Sequence, residues 1–574
     1  MDGSAFRSEL RHLLEENCDR VLLRIALSPE LGNPVELTGA DILSRAQELA
    51  KKFTVASASQ VVLLLLPHSL ELFLLHLGLV LTERLPAILP WPTTRIDPEK
   101  YQRNLLHQLR HLPARQIITL PLLAKNLCPG LPYPATACAI DGGAEYEKGL
   151  AISLPLELGE QPDAAGGTGE VPPDALFLQF SGGTTGAQKS VVVTAPMLTE
   201  QLERLRQILG YSASDSVVSW LPMYHDMGLI ACLWFPLWQR TPSLQFSASD
   251  WLLKPDLLFR FMERYGGTFC WLPNFAFSYL AALRGRMKEQ HSLGHVRGWI
   301  NCSEPVRLRS TKSFAEAFGE WGVGMESLQA SYAMAENVFA VTQTTLGRAP
   351  ATFPRAHLRH RAAEPDQHAF DLIDDVYVSS GQPLAGMEVR IVNDAREVLN
   401  DAQPGEIQTR TGCLFAGYWG SKGFITTSLT ADGWYSTGDY GFMAGGELYV
   451  IGRLKDIIIV GGQNVFPEDI EAVVNSVEGV YPGRVVAFGI QDPEYGTENI
   501  AVVAELRGLF DAKAATALER QIHKLVMATA GIAPRHVAVV PERWIVKSTA
   551  GKISRRDTRQ RFLQERLPPR SQPV

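Results

Sequence analysis

The stretch ALFLQFSGGTTGAQKS, residues 175–190, changes character halfway along. Its first six residues are an apolar run of the kind that forms a buried strand. The rest is nearly bare of side chains. Gly182, Gly183 and Gly186 let successive backbone amides converge on an anion, Ser181, Thr184 and Thr185 add hydroxyl donors, and Lys189 supplies a positive charge. The spacing is not the P-loop pattern GxxxxGK[ST]. Taken alone, the segment reads equally as a glycine-rich turn or as a phosphate cradle at the end of a strand. Both readings put an α/β unit around it.

Working outward, short β-rich runs alternate with helical patterns. Residues 116–120, 216–221, 296–301 and 388–392 read as strands, and residues 195–209 and 255–265 as amphipathic helices between them. The alternation predicts an α/β protein with a large N-terminal domain of mixed, largely parallel sheets and packed helices. Near GRLKDIIIVGGQNVFPEDIE (452–471) the pattern changes to a helix, two strands and a second helix. This predicts a small α+β domain, with boundaries at 1–453 and 454–574.

The most apolar segment, VVLLLLPHSLELFLLHLGLVL (61–81), is interrupted by Pro67, His68, Glu71 and His76. It is expected to be a buried strand, a turn and a helix from Ser69 rather than a membrane span. A net charge of −7 with interspersed signs and no basic block argues against nucleic acid as a partner. The seven cysteines form no CxxC pair and the N-terminus has no apolar signal core, so a cytoplasmic protein is expected. The histidine-bearing run 357–368 has irregular spacing and reads as a solvated loop.

Other segments join the glycine loop in order along the chain: WLPMYHDMGL (220–229), WLPNFAF (271–277), NCSEPV (301–306), SYAMAE (331–336), YSTGDYG (435–441), GRLKDIII (452–459) and STAGKISR (548–555). Together with SGGTTGAQK they resemble the adenylate-forming superfamily, which includes acyl-CoA synthetases, peptide-synthetase adenylation domains and luciferases. LPMYHDMGL, PNFAF and the Asn-x-x-Glu-Pro of 301–305 are most similar to the fatty acyl-AMP ligases.

The resemblance implies ATP and Mg²⁺, a carboxylic acid substrate, and a role for each matching residue. Ser181–Gly186 and Lys189 would hold the departing phosphates, with Ser303 and Glu304 in the same nucleotide site. Glu336 is suited to Mg²⁺, a hard ion that prefers oxygen. Tyr332 offers a flat face to adenine, Asp439 accepts from the ribose hydroxyls, and Arg453 reaches the ribose or the α-phosphate. Singly, Tyr332 reads as a core aromatic, Glu336 as a helix-surface charge and Asp439 as a turn residue. His225 and Asp226 would position the acid; Asn274, Phe275, Phe277 and Trp271 would line its pocket beside Ala333, although each aromatic also suits a core. Trp234, Phe235 and Trp238 either narrow the acid channel or pack beneath it. Lys552, after the small residues Ala550 and Gly551, matches the family's catalytic lysine, and Lys455 its hinge between domains.

Some positions depart from the family pattern: Gln188 and Ser190 in the glycine loop, Ala333 where glycine is usual, and Ala550 for a common serine. None removes a charged group. The segment after Glu336 is long enough to be the insertion that, in fatty acyl-AMP ligases, disfavours CoA and favours the phosphopantetheine arm of a carrier protein; it also reads as a surface loop. The expected function is activation of a fatty acid to acyl-AMP, with transfer to a separate carrier. The alternatives are an acyl- or aryl-CoA ligase and a catalytically silent nucleotide-binding regulator.

Overall fold

The residues from 175 to 180 do form a strand, Ala175–Phe180, buried at every position and paired antiparallel with the equally buried Ser190–Thr194. The structure is a computed structural model. It describes residues 1–27, 33–53, 61–92, 101, 105, 114–120, 137–140, 149–155, 172–180, 189–359, 376–415, 417–420, 423–425, 429–461, 463–492, 497–547 and 553–566. Ser181, Gly182, Gly183, Thr184, Thr185, Gly186 and Lys552 lie outside the described residues, as does most of the run 357–368.

Two nine-stranded sheets carry the N-terminal part. One runs in the order Gly423–Ile425, Tyr418–Gly420, Ser190–Thr194, Ala175–Phe180, Leu85–Ile88, Val61–Leu65, Ala114–Thr119, Gly149–Pro155, Ala137–Ile140. The other runs Gln382–Pro383, Ala340–Gln343, Leu328–Ala333, Gly298–Asn301, Phe269–Leu272, Val217–Ser219, Ser243–Gln245, Val21–Ile25, Val35–Thr38. Both are parallel at the centre and antiparallel at the margins, as expected of strands joined by helical crossovers.

The apolar segment 61–81 splits into the strand Val61–Leu65 and the helix Leu70–Leu81, capped by Ser69 Oγ accepting from the Leu72 amide at 3.3 Å. Every residue of this helix is buried, which is why its sequence lacks a polar face. Among the described residues no helix is long and apolar enough to cross a membrane.

The central strands of the second sheet are in register: Leu272 faces Asn301, and Asn301 faces Ala330. Their carboxyl ends therefore emerge along one edge, and so do the loops that follow. This is where parallel sheets bind ligands, because side chains beyond the last ladder bond are free to converge.

A four-stranded antiparallel sheet follows: Glu388–Val392, Gly405–Arg410, Tyr435–Ala444 and Glu447–Arg453. The chain then enters a small C-terminal β-sheet domain. There Val480–Asp492, Thr497–Leu506 and His536–Val540 pack between Pro467–Val474 and Ala512–Ala530 on one side and Arg555–Glu565 on the other. The helices Pro467–Val474 and Ala512–Ala530 and the first two strands match the expectation to within a few residues, whereas the strand His536–Val540 and the helix Arg555–Glu565 were not anticipated.

An ion-paired contact ties this domain to the rest. Asp469, in the first turn of Pro467–Val474, receives Arg307 Nη1 at 3.0 Å and Arg355 Nη1 at 2.8 Å. Burial by itself would raise the Asp469 carboxyl, but the two guanidinium groups hold it down at about 2. Asp469→Asn would leave both arginines uncompensated and is expected to weaken this contact by about 3 kcal/mol. Hydrogen exchange of the amides in Pro467–Val474 measures it, and unchanged protection would mean that apolar contacts alone hold the domain.

Candidate active site

The loops leaving the carboxyl edges bring together three groups of side chains. The first surrounds Glu336, in the turn after the strand Leu328–Ala333. Glu336 Oε1 accepts the Tyr418 hydroxyl at 2.9 Å, and the ammonium of Lys189 lies 4.5 Å from the centre of the Tyr418 ring. Desolvation raises the Glu336 carboxyl above its ordinary range; the Asp226 charge adds to the rise, while Lys189 opposes it. The Glu336 backbone amide and the Tyr418 hydroxyl also favour its charged form. A desolvated carboxylate is a donor that suits a hard divalent cation.

The Glu336 turn is braced. Gln179, the penultimate residue of the strand entering the glycine loop, donates Nε2 to Ala335 O at 2.8 Å and to Val338 O at 2.9 Å. Val338 has φ 62° and ψ −50°, and its neighbours close a tight Phe339 N–H to Asn337 O bond of 2.6 Å. A β-branched residue there is strained by about 1–3 kcal/mol, so the surrounding bonds must hold it.

The second group sits beside it. Asp439 and Arg453 face each other across the hairpin Tyr435–Ala444/Glu447–Arg453, with Arg453 Nε 3.2 Å from Asp439 Oδ1. Tyr332 donates its hydroxyl to Asp439 Oδ2 at 2.6 Å. Lys455 follows in a short turn. Desolvation first, and the nearby Arg453 second, hold its ammonium below the usual lysine range; Asp456, Asp439 and Lys189 also act on it.

The third group lies at the ends of Val217–Ser219 and Phe269–Leu272. His225 Nδ1 is 2.5 Å from Asp226 Oδ1, which also accepts the Met227 amide at 2.8 Å and so caps the π-helix Met227–Trp234. Asn274 Oδ1 accepts from Asn301 Nδ2 at 2.9 Å and from the Arg307 amide at 3.3 Å. Glu304 Oε2 accepts the Phe275 amide at 3.0 Å, near the start of the helix Asn274–Leu283. Ser303 holds φ 78° with its Oγ 3.8 Å from Met227 Sδ. Ala333 is half-buried at the end of its strand.

The aromatics divide. Phe275 is 46% exposed, near Trp220 and Trp251. Phe277 and Trp271 are 0% exposed and pack against Phe314 and Phe235. Trp234 and Phe235 are equally buried, and Trp238 stacks on Phe6 at 4.7 Å. Of these, Phe275 is exposed and Trp238 partly exposed, whereas Phe277, Trp271, Trp234 and Phe235 lie in the core.

Two contributors were not anticipated from the sequence, Gln179 and Tyr418. Gln179 had a signal: an amide inside the apolar run ALFLQF must find partners when buried. Tyr418 had none, because its neighbours Lys189 and Glu336 are remote in the chain. Gln179→Ala would remove the amide donor to the Val338 carbonyl and one of two donors to the Ala335 carbonyl, which also accepts the Val338 amide at 3.0 Å, and a loss of about 2 kcal/mol is expected from denaturant unfolding. Wild-type stability in this variant would mean that the turn holds itself.

This arrangement can be set against known proteins. The model of the AMP-binding enzyme family matches residues 11–419. The chain is 28% identical over 544 residues to 4-hydroxyphenylalkanoate adenylyltransferase of Mycobacterium bovis, covering 90% of this chain and 85% of that protein. It is 30% identical over 408 residues to the long-chain-fatty-acid–AMP ligase FadD26 of Mycobacterium marinum, covering 66% of this chain and 68% of that one. The crystal structure of the anthranilate CoA ligase AuaEII with anthranoyl-AMP shares the fold, with a TM-score of 0.67 at 19% identity over 98% of this chain and 99% of the other. With more than half of its length matched, the chain belongs to the AMP-binding family of adenylate-forming enzymes, which use ATP to activate carboxylic acids.

Proposed function

We propose that this enzyme converts a fatty acid to acyl-AMP with release of pyrophosphate and then passes the acyl group to the phosphopantetheine thiol of a separate acyl carrier protein. One observation carries the choice of acceptor. Part of the segment after Glu336 forms an antiparallel strand pair, Thr352–Pro354 with Val376–Val378. Phe353 packs on Phe442 at 4.9 Å and on Tyr449 at 5.8 Å, while Arg355 reaches Asp469 of the C-terminal domain. A segment tied to both parts of the chain suits the insertion that the fatty acyl-AMP ligases carry. The similarity to a long-chain-fatty-acid–AMP ligase supports the same reading.

In this reading the division lies at 453/454, and Lys455 is the hinge. Ser181–Gly186 and Lys189 receive the β- and γ-phosphates, with Ser303 and Glu304 bordering the nucleotide. The ring of Tyr332 lies along adenine, Asp439 accepts from the ribose, and Arg453 neutralises phosphate charge. Glu336 would hold Mg²⁺, which when bound offsets charge on the phosphate oxygens. His225, oriented by Asp226, positions the carboxylate, and Asn274, Phe275 and Ala333 border the acid. Lys552 completes the site by neutralising charge at the carboxylate and α-phosphate, so the rate comes mainly from alignment and electrostatics. Among the described residues Cys18, Cys232, Cys270, Cys302 and Cys413 form no disulfide, which suits a reducing cytoplasm.

Mass spectrometry of reactions with ATP, Mg²⁺, a pool of fatty and aromatic acids, free CoA and a phosphopantetheinylated carrier tests the proposal. Fatty acyl-AMP and an acyl-carrier thioester without acyl-CoA are expected. Accumulation of acyl-CoA would make the enzyme a CoA ligase, and nucleotide binding without acid-dependent pyrophosphate release would make it a silent regulator. In the same assay Lys552→Ala is expected to slow adenylate formation about a hundredfold.

A further inference from the structure

The side chain joining Lys189 to Glu336 has no role in the reading above, and its geometry is specific. Tyr418 opens the strand Tyr418–Gly420, which pairs antiparallel with Ser190–Thr194 so that Tyr418 faces Val191 and Trp419 faces Ser190. This pairing lays Tyr418 beside the residue that ends the glycine loop, with Lys189 Nζ 4.5 Å from the ring centre. Phe415 packs on the ring at 4.6 Å, and its amide donates to the Glu336 carbonyl at 2.8 Å. The Tyr418 hydroxyl donates to Glu336 Oε1 at 2.9 Å and lies 3.2 Å from the Tyr435 hydroxyl.

The two halves of this side chain serve different groups. The ring face attracts the lysine ammonium without occupying its three N–H donors, which stay available to phosphate oxygens. The hydroxyl donates to one carboxylate oxygen of Glu336 and so fixes the orientation of the carboxylate. Phenylalanine would keep the first function and lose the second; alanine would lose both.

We propose that Tyr418 is a positioning residue of the nucleotide site, its hydroxyl orienting Glu336 toward a divalent cation and its ring holding Lys189 for the phosphates. This rests on the reading of Glu336 and Lys189 given under the proposed function. The test compares Tyr418→Phe, Tyr418→Ala and Glu336→Gln with the wild type. Calorimetric ATP binding without acid is measured in EDTA and at rising Mg²⁺, beside ATP–pyrophosphate exchange. Tyr418→Phe is expected to bind ATP normally in EDTA but to need about tenfold more Mg²⁺ for half-maximal exchange and for the Mg²⁺-dependent gain in affinity, the change expected from one hydrogen bond to a charged group. Its KM for the acid stays unchanged. Tyr418→Ala is expected to lose, in addition, about threefold in ATP affinity in EDTA.

A wild-type Mg²⁺ midpoint in Tyr418→Phe, with a shifted one in Glu336→Gln, would overturn the hydroxyl's role and leave Glu336 in place. No shift in either variant would remove Glu336 from the metal site and the proposal with it. Equal ATP affinity of the two tyrosine variants in EDTA would overturn the role of the ring. Should the alanine variant fail to fold, the phenylalanine variant still decides the hydroxyl's role.

Discussion

The amide of Gln179 joins the two large sheets where the chemistry is placed. It is the polar residue of an otherwise apolar strand, and both of its hydrogen bonds end on carbonyls of the other sheet's Glu336 turn. The strand that launches the glycine loop is thereby held at a set distance from Glu336. The same two bonds support the turn in which Val338 is kept at positive φ. Strain of this kind persists only where the surroundings over-determine it, and a pre-set carboxylate needs no reorganisation when charge arrives.

Around that joint the site balances its charges by strand pairing. Asp439 and Arg453 are cross-strand partners, so their attraction follows from the register of one hairpin, and the Tyr332 hydroxyl completes the set from the neighbouring sheet. The Asp226 charge acts on Glu336, and Lys189 answers it from the other sheet. Lys455 brings a further positive charge where the chain leaves for the C-terminal domain. A region that concentrates carboxylates and cations before a triphosphate arrives is suited to ligand charge, since these groups are already partly withdrawn from water.

The C-terminal domain is held by polar as well as apolar contacts. Asp469 meets two arginines from separate parts of the preceding chain. Within the domain, Arg555 binds Asp456, Glu468 and Glu471, linking the turn after Lys455 to the helix that carries Asp469. Contacts between a few charged groups can be exchanged for water more readily than a continuous apolar interface.

Much of this was legible in the sequence. Apolar runs such as 61–65 and 175–180 specify buried strands because a sheet interior hides them from water, and the largely apolar helix after Ser69 had to be covered on all sides. The motif residues pointed to a nucleotide-dependent chemistry through the resemblance of their collinear set to the adenylate-forming superfamily, since the glycine segment alone reads equally as a turn. Tertiary structure alone decided which aromatics are exposed: Phe275 and Phe277 differ by two positions, and helix geometry turns one outward and the other into the core. It also decided the partnerships of Gln179, Tyr418 and Asp469, since each depends on contacts between residues far apart in the chain. Local propensity can place a side chain on an element, but only sheet register and domain packing determine what it touches.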